Sequence, residues 1–597
     1  MVGSDLTVAD PMEPMTRSSL VRRVVATAAL VALVACGAER PVEPRAEEVR
    51  GEARRGGRLV AALTAEPGTF NPLVMVDSAS RAVVDQIMAD LVHIDRQTHG
   101  TFANAAESWT VSDDGRILTA VLRPGLRFSD GQPCTADDIV FSFDCYLDEE
   151  VGSPQRDLLI VGGEPIEVRA TDERTVVIDM AAPYAVADRL FDGFAVLPEH
   201  VLGPAYEAGT LAEQWSPATP PHEIVGLGAF RLREVVPGER VVLERNPHYW
   251  RTDDAGVQLP YLDELVYLIV PDAETAALRF EAGELDVIDR LSPETFDALA
   301  ASPRADTAEL LDLGPGLDFT FLFFNLNDLG PDAPERLQVA QSWFRQVEFR
   351  RAVSTAIDRQ AIVDLVYRGR ATPLATHVTP GYGDWMHPDL EPPVHDPAGA
   401  LALLESAGFS RAGDGPLLDP EGRPVEVSIL IDSDNLVRMR IASIIQQDLG
   451  EIGMSVAVHA IEFQAMISSI FESFDYQVGL LAIGGGDADP NPRTNVLSST
   501  GSHHLWRLRN DGSVSDWQAT LDELLRTQAQ TTDRLARQKL YYRVQDIVAR
   551  NLPFIPITSP HVLVAFDRDI MGVRPSVLDA SLLWNSAEVY RAGGRDR

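Results

Sequence analysis

The sequence predicts an α/β fold with at least two lobes. Predicted strands and helices alternate to the end of the chain, whereas separate all-α and all-β parts would segregate them. The 597 residues also exceed what one hydrophobic core usually serves. We therefore expect two or more cores, each built from alternating strands and helices.

The first half of the chain supplies strands, hairpins and helices with clear local signals. Thr135 and Asp138 form a capping-box-like start for one helix, and Asp, Gly and Pro occupy the turns of two hairpins. These signals predict a strand at 57–63, a helix at 81–91, a hairpin at 109–122 around 112–115, a helix at 135–147, a hairpin at 230–243 around 237–238, a strand at 262–270 and a helix at 273–282.

The second half continues the alternation. A dense apolar run at 319–326 predicts a buried strand, and apolar residues at a helical spacing predict one long helix at 350–367. A short helix at 396–407 is ended by Gly408. Strands at 425–431 and 455–459 flank a helix at 437–449. The segment 373–393 is rich in loop-forming residues.

Composition excludes some classes of function. A net charge of −38 leaves no basic footprint for nucleic acid, and a solvated acidic surface is its simplest explanation. Cys134 and Cys145 would lie about 16 Å apart along a helix, too far for a disulfide, so we expect structural cysteines. The histidines form no compact metal-ligand cluster, and we expect no cofactor.

An N-terminal leader indicates export. Arginines precede the apolar run 24–35, which is too short to span a bilayer and ends in Leu33-Val34-Ala35-Cys36. This ending resembles the lipobox of bacterial lipoproteins, which implies cleavage after residue 35 and lipidation of Cys36. The alternative is half of a core helix with a buried thiol. The charged, proline-containing segment 39–55 argues against it, because it predicts a flexible tether (36–55).

Eight short motifs identify a family when taken together. They are AESW with the turn that follows it (106–115), LRPGLRFSDG (122–131), TADDIVFSF (135–143), VGLGAFRL (225–232), LERNPHYW (243–250), AGELDV (282–287), FRRA with the following AID (349–358) and ALLESAGF (402–409). Because these motifs occur in the family's order, the chain resembles the family 5 solute-binding proteins of ABC transporters, which are the oligopeptide-, dipeptide- and nickel-binding group. Most of these motifs are scaffold, so they do not identify a ligand.

The resemblance implies a two-lobed, periplasmic-binding-protein-like fold that closes on its ligand about a hinge. The first lobe would comprise residues 56–317 plus 560–597, with an extra subdomain at about 90–220, and the second lobe residues 318–559. The protein would be a monomer on the outer side of a membrane, anchored through Cys36. It would deliver a peptide or another small solute to the permease subunits of an ABC importer.

Two loops are the predicted ligand contacts. Peptide binders of this kind hold an extended ligand through main-chain hydrogen bonds and meet its amino terminus with a carboxylate. The first loop supplies Glu66, Pro67, Gly68, Thr69 and Phe70, and the second supplies Gly484, Gly485, Gly486, Asp487 and Asp489. Plain turns would use the same residue types.

One departure from the family pattern leaves the amine partner open. Peptide-binding members commonly carry an aspartate four residues before the proline of this loop, where this chain has Gly486. The partner of a ligand amine is therefore either Asp487 or Asp489. Trp385 is a further predicted wall of the pocket, or else core packing.

Other functions remain open at this stage. The same fold could bind a nickel chelate, an oligosaccharide or an opine instead of a peptide. An exported hydrolase is a weaker alternative, because the sequence has no H-E-x-x-H, G-x-S-x-G or phosphate-loop motif. We therefore expect no catalytic residues.

Overall fold

The computed structural model of the protein describes residues 55–510 and 512–592. The predicted leader, Cys36 and all of the tether except residue 55 lie outside these residues. All described residues belong to one compact unit. Within them, no helix has the length and apolar character needed to cross a membrane.

The strands are short except for one of fourteen residues near the C-terminus. In chain order they are β1 (Arg58–Leu63), β2 (Val92–Ile94), β3 (Thr101–Ala103), β4 (Ala106–Val111), β5 (Ile117–Leu122), β6 (Ile160–Val161), β7 (Glu164–Pro165), β8 (Glu167–Asp172), β9 (Thr175–Asp179), β10 (Phe230–Val236), β11 (Arg240–Arg245), β12 (Glu264–Ile269), β13 (Val287–Ile288), β14 (Ala308–Pro315), β15 (Phe319–Phe324), β16 (Ala371–Pro373), β17 (Ser410–Arg411), β18 (Leu417–Leu418), β19 (Glu426–Asp432), β20 (Ser455–Ile461), β21 (Val478–Ile483), β22 (Phe554–Asp567), β23 (Ile570–Met571) and β24 (Tyr590–Arg591).

The helices lie between these strands. They are α1 (Ser78–Ile87), α2 (Ala136–Leu147), α3 (Glu199–Glu207), α4 (Ala273–Glu281), α5 (Pro293–Ala301), α6 (Glu335–Phe344), α7 (Val347–Ala356), α8 (Arg359–Val366), α9 (Pro397–Ser406), α10 (Leu436–Glu451), α11 (Phe463–Ser468), α12 (Thr494–Leu497), α13 (Asp516–Gln530) and α14 (Arg534–Asn551).

The first lobe contains two four-stranded sheets. One has the order β1-β12-β11-β10, with β1 and β12 parallel, and the other has the order β4-β5-β9-β8. One hydrophobic cluster runs through both sheets and includes Leu59, Leu118, Phe141 and Leu243, together with Val589 near the C-terminus. We call the part of the molecule built on this cluster the first lobe.

The second lobe is built on a larger sheet of order β13-β22-β15-β21-β19-β20. Every side chain of β15 is buried, as expected for a strand covered on both faces. The cluster around it includes Phe321, Phe349, Ile445 and Tyr541. We call the part built on this second cluster the second lobe.

Strand β22 belongs to both parts of the molecule. Its first half pairs with β15 of the second lobe, and its second half pairs with β14. Beside this change of partner, the amide of Gly316 donates a hydrogen bond to the carbonyl of Pro560 at 3.2 Å. Residues 315–316 and 558–561 therefore lie side by side where β22 changes its partner.

Most of the predicted elements are confirmed. Both hairpins form, and in the capping box before α2 the amide of Thr135 donates to the carboxylate of Asp138 at 2.8 Å. Cys134 and Cys145 are buried free thiols. Helix α1 starts earlier than predicted because Asp77 caps it, accepting a hydrogen bond from the amide of Ser80 at 2.7 Å.

The single long helix predicted at 350–367 is wrong. The structure has two helices there, α7 and α8, separated at Ile357 and Asp358. The Asp358 carboxylate accepts a hydrogen bond from the amide of Ala361 at 2.9 Å and so starts a new helix. A capping aspartate is compatible with an apolar helical spacing on both of its sides, which is why the spacing hid the break.

Candidate functional site

The glycine-rich loop after β21 is held tightly at its centre. A Cβ atom at Gly485 would lie 2.9 Å from the Tyr382 hydroxyl and 3.0 Å from Nη2 of Arg493. Tyr382 in turn accepts a hydrogen bond from Nε of Arg493 at 2.8 Å. A side chain at 485 would therefore have to displace these two groups, whereas among the described residues nothing lies within 4 Å of a Cβ at Gly486.

The loop then reaches across to the first lobe through Asp487. Nε of Arg189 donates to Oδ2 of Asp487 at 2.9 Å, and Nη2 bonds the other carboxylate oxygen. Arg96 of the first lobe donates from Nη1 to the carbonyl of Gly486 at 3.2 Å. Burial disfavours the charged form of Arg189, but the ion pair outweighs this effect and raises its pKa. These contacts join the two lobes.

Asp489 makes a different kind of ion pair, inside the second lobe. Its two oxygens accept hydrogen bonds from Arg537 at 2.6 and 2.7 Å, and the two side chains are 6% and 5% exposed. The Trp385 ring is also buried, with Cζ of Arg537 5.0 Å from its centroid. The structure therefore places Asp489 and Trp385 in one packed network beneath the loop.

The other predicted loop is fixed to the first lobe. The amide of Thr69 donates to Oγ of Ser80 at 3.1 Å, and the amide of Phe70 donates to the carbonyl of Trp215 at 2.8 Å. Pro67 and Phe70 are buried, whereas Glu66 and Gly68 are exposed. The hydrogen bonds of Thr69 and Phe70 thus stay within the first lobe, whereas those of Gly486 and Asp487 cross to it.

An open cleft of about 460 Å³ lies beside the crossing contacts. Arg96, Gln97 and His99 line it from the first lobe, and Pro380, Gly381 and Gly383 from the second. Arg189 donates to the carbonyl of His99 at 2.7 Å, so the ion pair with Asp487 lies at the edge of this cleft.

Strand β21, close to the same place, is paired over its whole length on one side but only in part on the other. Its ladder with β19 covers only the pairs Ile429–Val478 and Leu430–Gly479. On the other side, β15 pairs with β21 over its whole length, from Val478 to Ile483. Among the described strands, none pairs with residues 480–483 on the β19 side. Leu480 and Leu481 are buried, so only Ala482 and Ile483 are accessible to an added extended chain.

Two carboxylates that the sequence did not single out have shifted pKa values. The side chains of Asp85 and Asp289 keep an accessible surface, yet desolvation by the surrounding protein raises the pKa of each to about 6. Both lie close enough to Tyr267 to raise the pKa of its hydroxyl, together with burial.

A cluster with metal-ligand chemistry lies next to Arg96 but is already saturated with hydrogen bonds. One possible ligand atom from each of Asp90, His93 and Asp192 falls within 4.8 Å of the others. However, Nδ1 of His93 lies 2.8 Å from Asp90, Asn104 donates to Asp90 at 2.7 Å, and Arg96 donates to Asp192 at 3.2 Å. Burial lowers the pKa of His93, and the two carboxylates raise it overall. This arrangement is an ion-pair network.

Arg96 and Arg189, two of the residues that connect the lobes, were not predicted from the sequence. Each is an arginine without a surrounding motif, and its partner is separated from it by 390 or 298 positions. Only the folded chain brings such residues together, so no local pattern could have identified them.

Comparison with known proteins places this architecture in a family. A probable ABC transporter-binding protein of Deinococcus radiodurans is 28% identical, with 90% of this chain and 93% of that protein covered. The ABC transporter substrate-binding protein CtaP of Listeria monocytogenes matches in structure with a TM-score of 0.73 and 23% identity, over 90% of this chain and 100% of that one.

A second solved structure is the oligopeptide-binding protein AppA of Bacillus subtilis in complex with a nonapeptide. It matches with a TM-score of 0.69 and 21% identity, over 91% of this chain and 100% of that one. These matches show the two-lobed periplasmic-binding-protein fold. The model of the bacterial extracellular solute-binding proteins, family 5 (middle region), matches residues 102–503. The chain therefore belongs to the family 5 extracellular solute-binding proteins.

Proposed function

We propose that this protein captures peptides between its lobes and delivers them to an ABC importer. The observation that carries the proposal is Asp487, a carboxylate that projects from the glycine-rich loop towards the first lobe at the edge of the cleft. A carboxylate in that position suits the ammonium group of a peptide's amino terminus. Asp489 is the weaker candidate, because its pair with Arg537 is buried inside the second lobe, whereas the pair of Asp487 lies between the lobes and is more exposed.

The main chain of the site also suits a peptide. The accessible end of β21, Ala482 and Ile483, lies directly before the glycine-rich loop, so an extended ligand that pairs there would continue towards Asp487. Strand addition of this kind provides affinity through main-chain hydrogen bonds, which do not depend on the side chains of the ligand. In support, the similar protein of Bacillus subtilis was solved with a nonapeptide.

The test is a thermal-shift titration with defined ligands. Because a ligand that binds only the folded state stabilises it by about 2.7 kcal/mol at a hundredfold excess over Kd, pools of tri- to nonapeptides should raise the melting temperature. A nickel chelate, an oligosaccharide and an opine serve as the competing ligands. A shift with one of those and none with any peptide would overturn the proposal.

We further propose that Cys36 carries a lipid and holds the protein at the outer face of a membrane. The support is the basic, apolar and small-residue order of the leader, followed by a tether. In an expressing bacterium, the protein should partition into the detergent phase and incorporate labelled palmitate. Cys36→Ser should abolish both signals, whereas Cys134→Ser, at a buried thiol, is the matched control. Labelling that survives Cys36→Ser would contradict the anchor.

A further inference from the structure

Asp487 already has a cationic partner from within the protein. The guanidinium of Arg189 engages both carboxylate oxygens, and the two side chains are 13% and 17% exposed. Oδ1 of Asp487 also accepts the amide of Asp489 at 3.1 Å. Because a carboxylate offers about four acceptor positions, three protein donors leave little room for the three donors of an ammonium group.

We propose that Arg189 is the internal counter-ion of the amine subsite, and that the ammonium group of a solute displaces it from Asp487. This inference rests on the proposed function, because it takes Asp487 as the amine partner. Arg189 and the solute then compete for one carboxylate. A solute gains the ion pair with Asp487 only if its positively charged amine replaces the arginine there.

The surroundings of Arg189 allow it to leave Asp487 without losing all of its partners. Its Nη1 donates to the carbonyl of His99, a first-lobe residue, at 2.7 Å. The neighbouring carboxylate of Asp188, which accepts a hydrogen bond from Thr101 at 2.5 Å, also raises the pKa of Arg189. A displaced guanidinium therefore remains beside a carbonyl and a carboxylate of its own lobe. The exchange replaces one ion pair of Asp487 by another, so the ammonium group offsets part of the cost of freeing the carboxylate.

The competition predicts a selective gain of affinity when Arg189 is removed. Arg189→Gln should bind trialanine about tenfold more tightly than the wild type, since the amine no longer displaces an ion pair. N-acetyl-trialanine has no ammonium group, so its affinity should not change. Isothermal titration calorimetry measures both. Arg169→Gln is the matched control, because Arg169 pairs with Asp179 at 3.1 Å on an exposed surface of the same lobe.

Three calorimetric results would overturn the inference. They are weaker binding of trialanine by Arg189→Gln, unchanged binding, and an equal change for both peptides. If the wild type binds neither peptide, the proposed function fails, and the inference that rests on it fails with it.

Discussion

Replacing Asp489 by asparagine should destabilise the second lobe, whereas the same replacement at Asp487 should not. The two aspartates are two positions apart and both pair with an arginine, yet their environments differ. Asp489 and Arg537 are 6% and 5% exposed within one lobe, whereas Asp487 and Arg189 are 17% and 13% exposed between lobes. The variants therefore separate a structural ion pair from a contact that breaks when the lobes part.

The expected size follows from the geometry. Removing one member of a buried ion pair costs about 3–5 kcal/mol, because the remaining charge stays uncompensated. Asparagine keeps an oxygen for the amide of Asn491, which donates to Asp489 at 2.9 Å, and Arg537 keeps Gln528 as an acceptor at 2.9 Å. We therefore expect the lower value, about 3 kcal/mol. For a lobe of this size that lowers the melting temperature by roughly 6 °C.

Differential scanning calorimetry on the two variants and the wild type measures this difference. Asp487→Asn should lower the melting temperature less than Asp489→Asn does, because its ion pair is more exposed and lies between the lobes. Equal losses in the two variants would refute the distinction between the pairs. A larger loss for Asp487→Asn would show that the cleft contact is the structural one.

Three further predictions concern the framework of the site. Arg359 is 3% exposed and donates two hydrogen bonds to the carbonyl of Pro556, at 2.9 and 3.0 Å. Arg359→Lys should therefore lower the free energy of unfolding by about 2 kcal/mol in calorimetry. A variant as stable as the wild type would contradict this. Gly485→Ala should weaken peptide binding about tenfold in calorimetric titrations, because the added methyl group would displace Tyr382 and Arg493. Gly486→Ala is the control, because a Cβ there meets no described atom within 4 Å. Equal effects of the two substitutions would contradict the prediction. Burial raises the pKa of Asp567 to about 6. The folded protein therefore binds a proton at this carboxylate more tightly than the unfolded chain does. As a result, the free energy of unfolding should increase as pH falls from about 6 to about 4. In melting curves measured across that range, Asp567→Asn should show a smaller increase in stability than the wild type. The same pH dependence in the variant and the wild type would exclude Asp567 as the source of the increase.

Local signals were sufficient for most elements of the fold but not for the contacts between lobes. Turn residues and the Thr135–Asp138 capping box act within a few positions, so the sequence reveals them directly. The break at Asp358 was missed because a capping residue and a helix-compatible spacing coincide there. The lobe boundaries stay a prediction, although β22 changes partners close to the expected second crossing.

The candidate site was predictable as a loop but not as a set of partners. Glycine, aspartate and proline after an apolar strand located the segment at 484–490. The sequence could not distinguish Asp487 from Asp489, because the difference depends on Arg189 and Arg537, which are distant in the chain. Trp385 could be assigned to a buried network only once Arg537 was seen against its ring.

Native mass spectrometry with competing ligands tests the central claim, that this protein captures peptides, most directly. The protein is incubated with an equimolar mixture of a tripeptide pool, an oligosaccharide, an opine and a nickel–histidine chelate, and the bound masses are then identified by fragmentation. The account predicts mass increments that fragment as peptides with free amino termini. Increments from the sugar, the opine or the chelate, with none from a peptide, would contradict it.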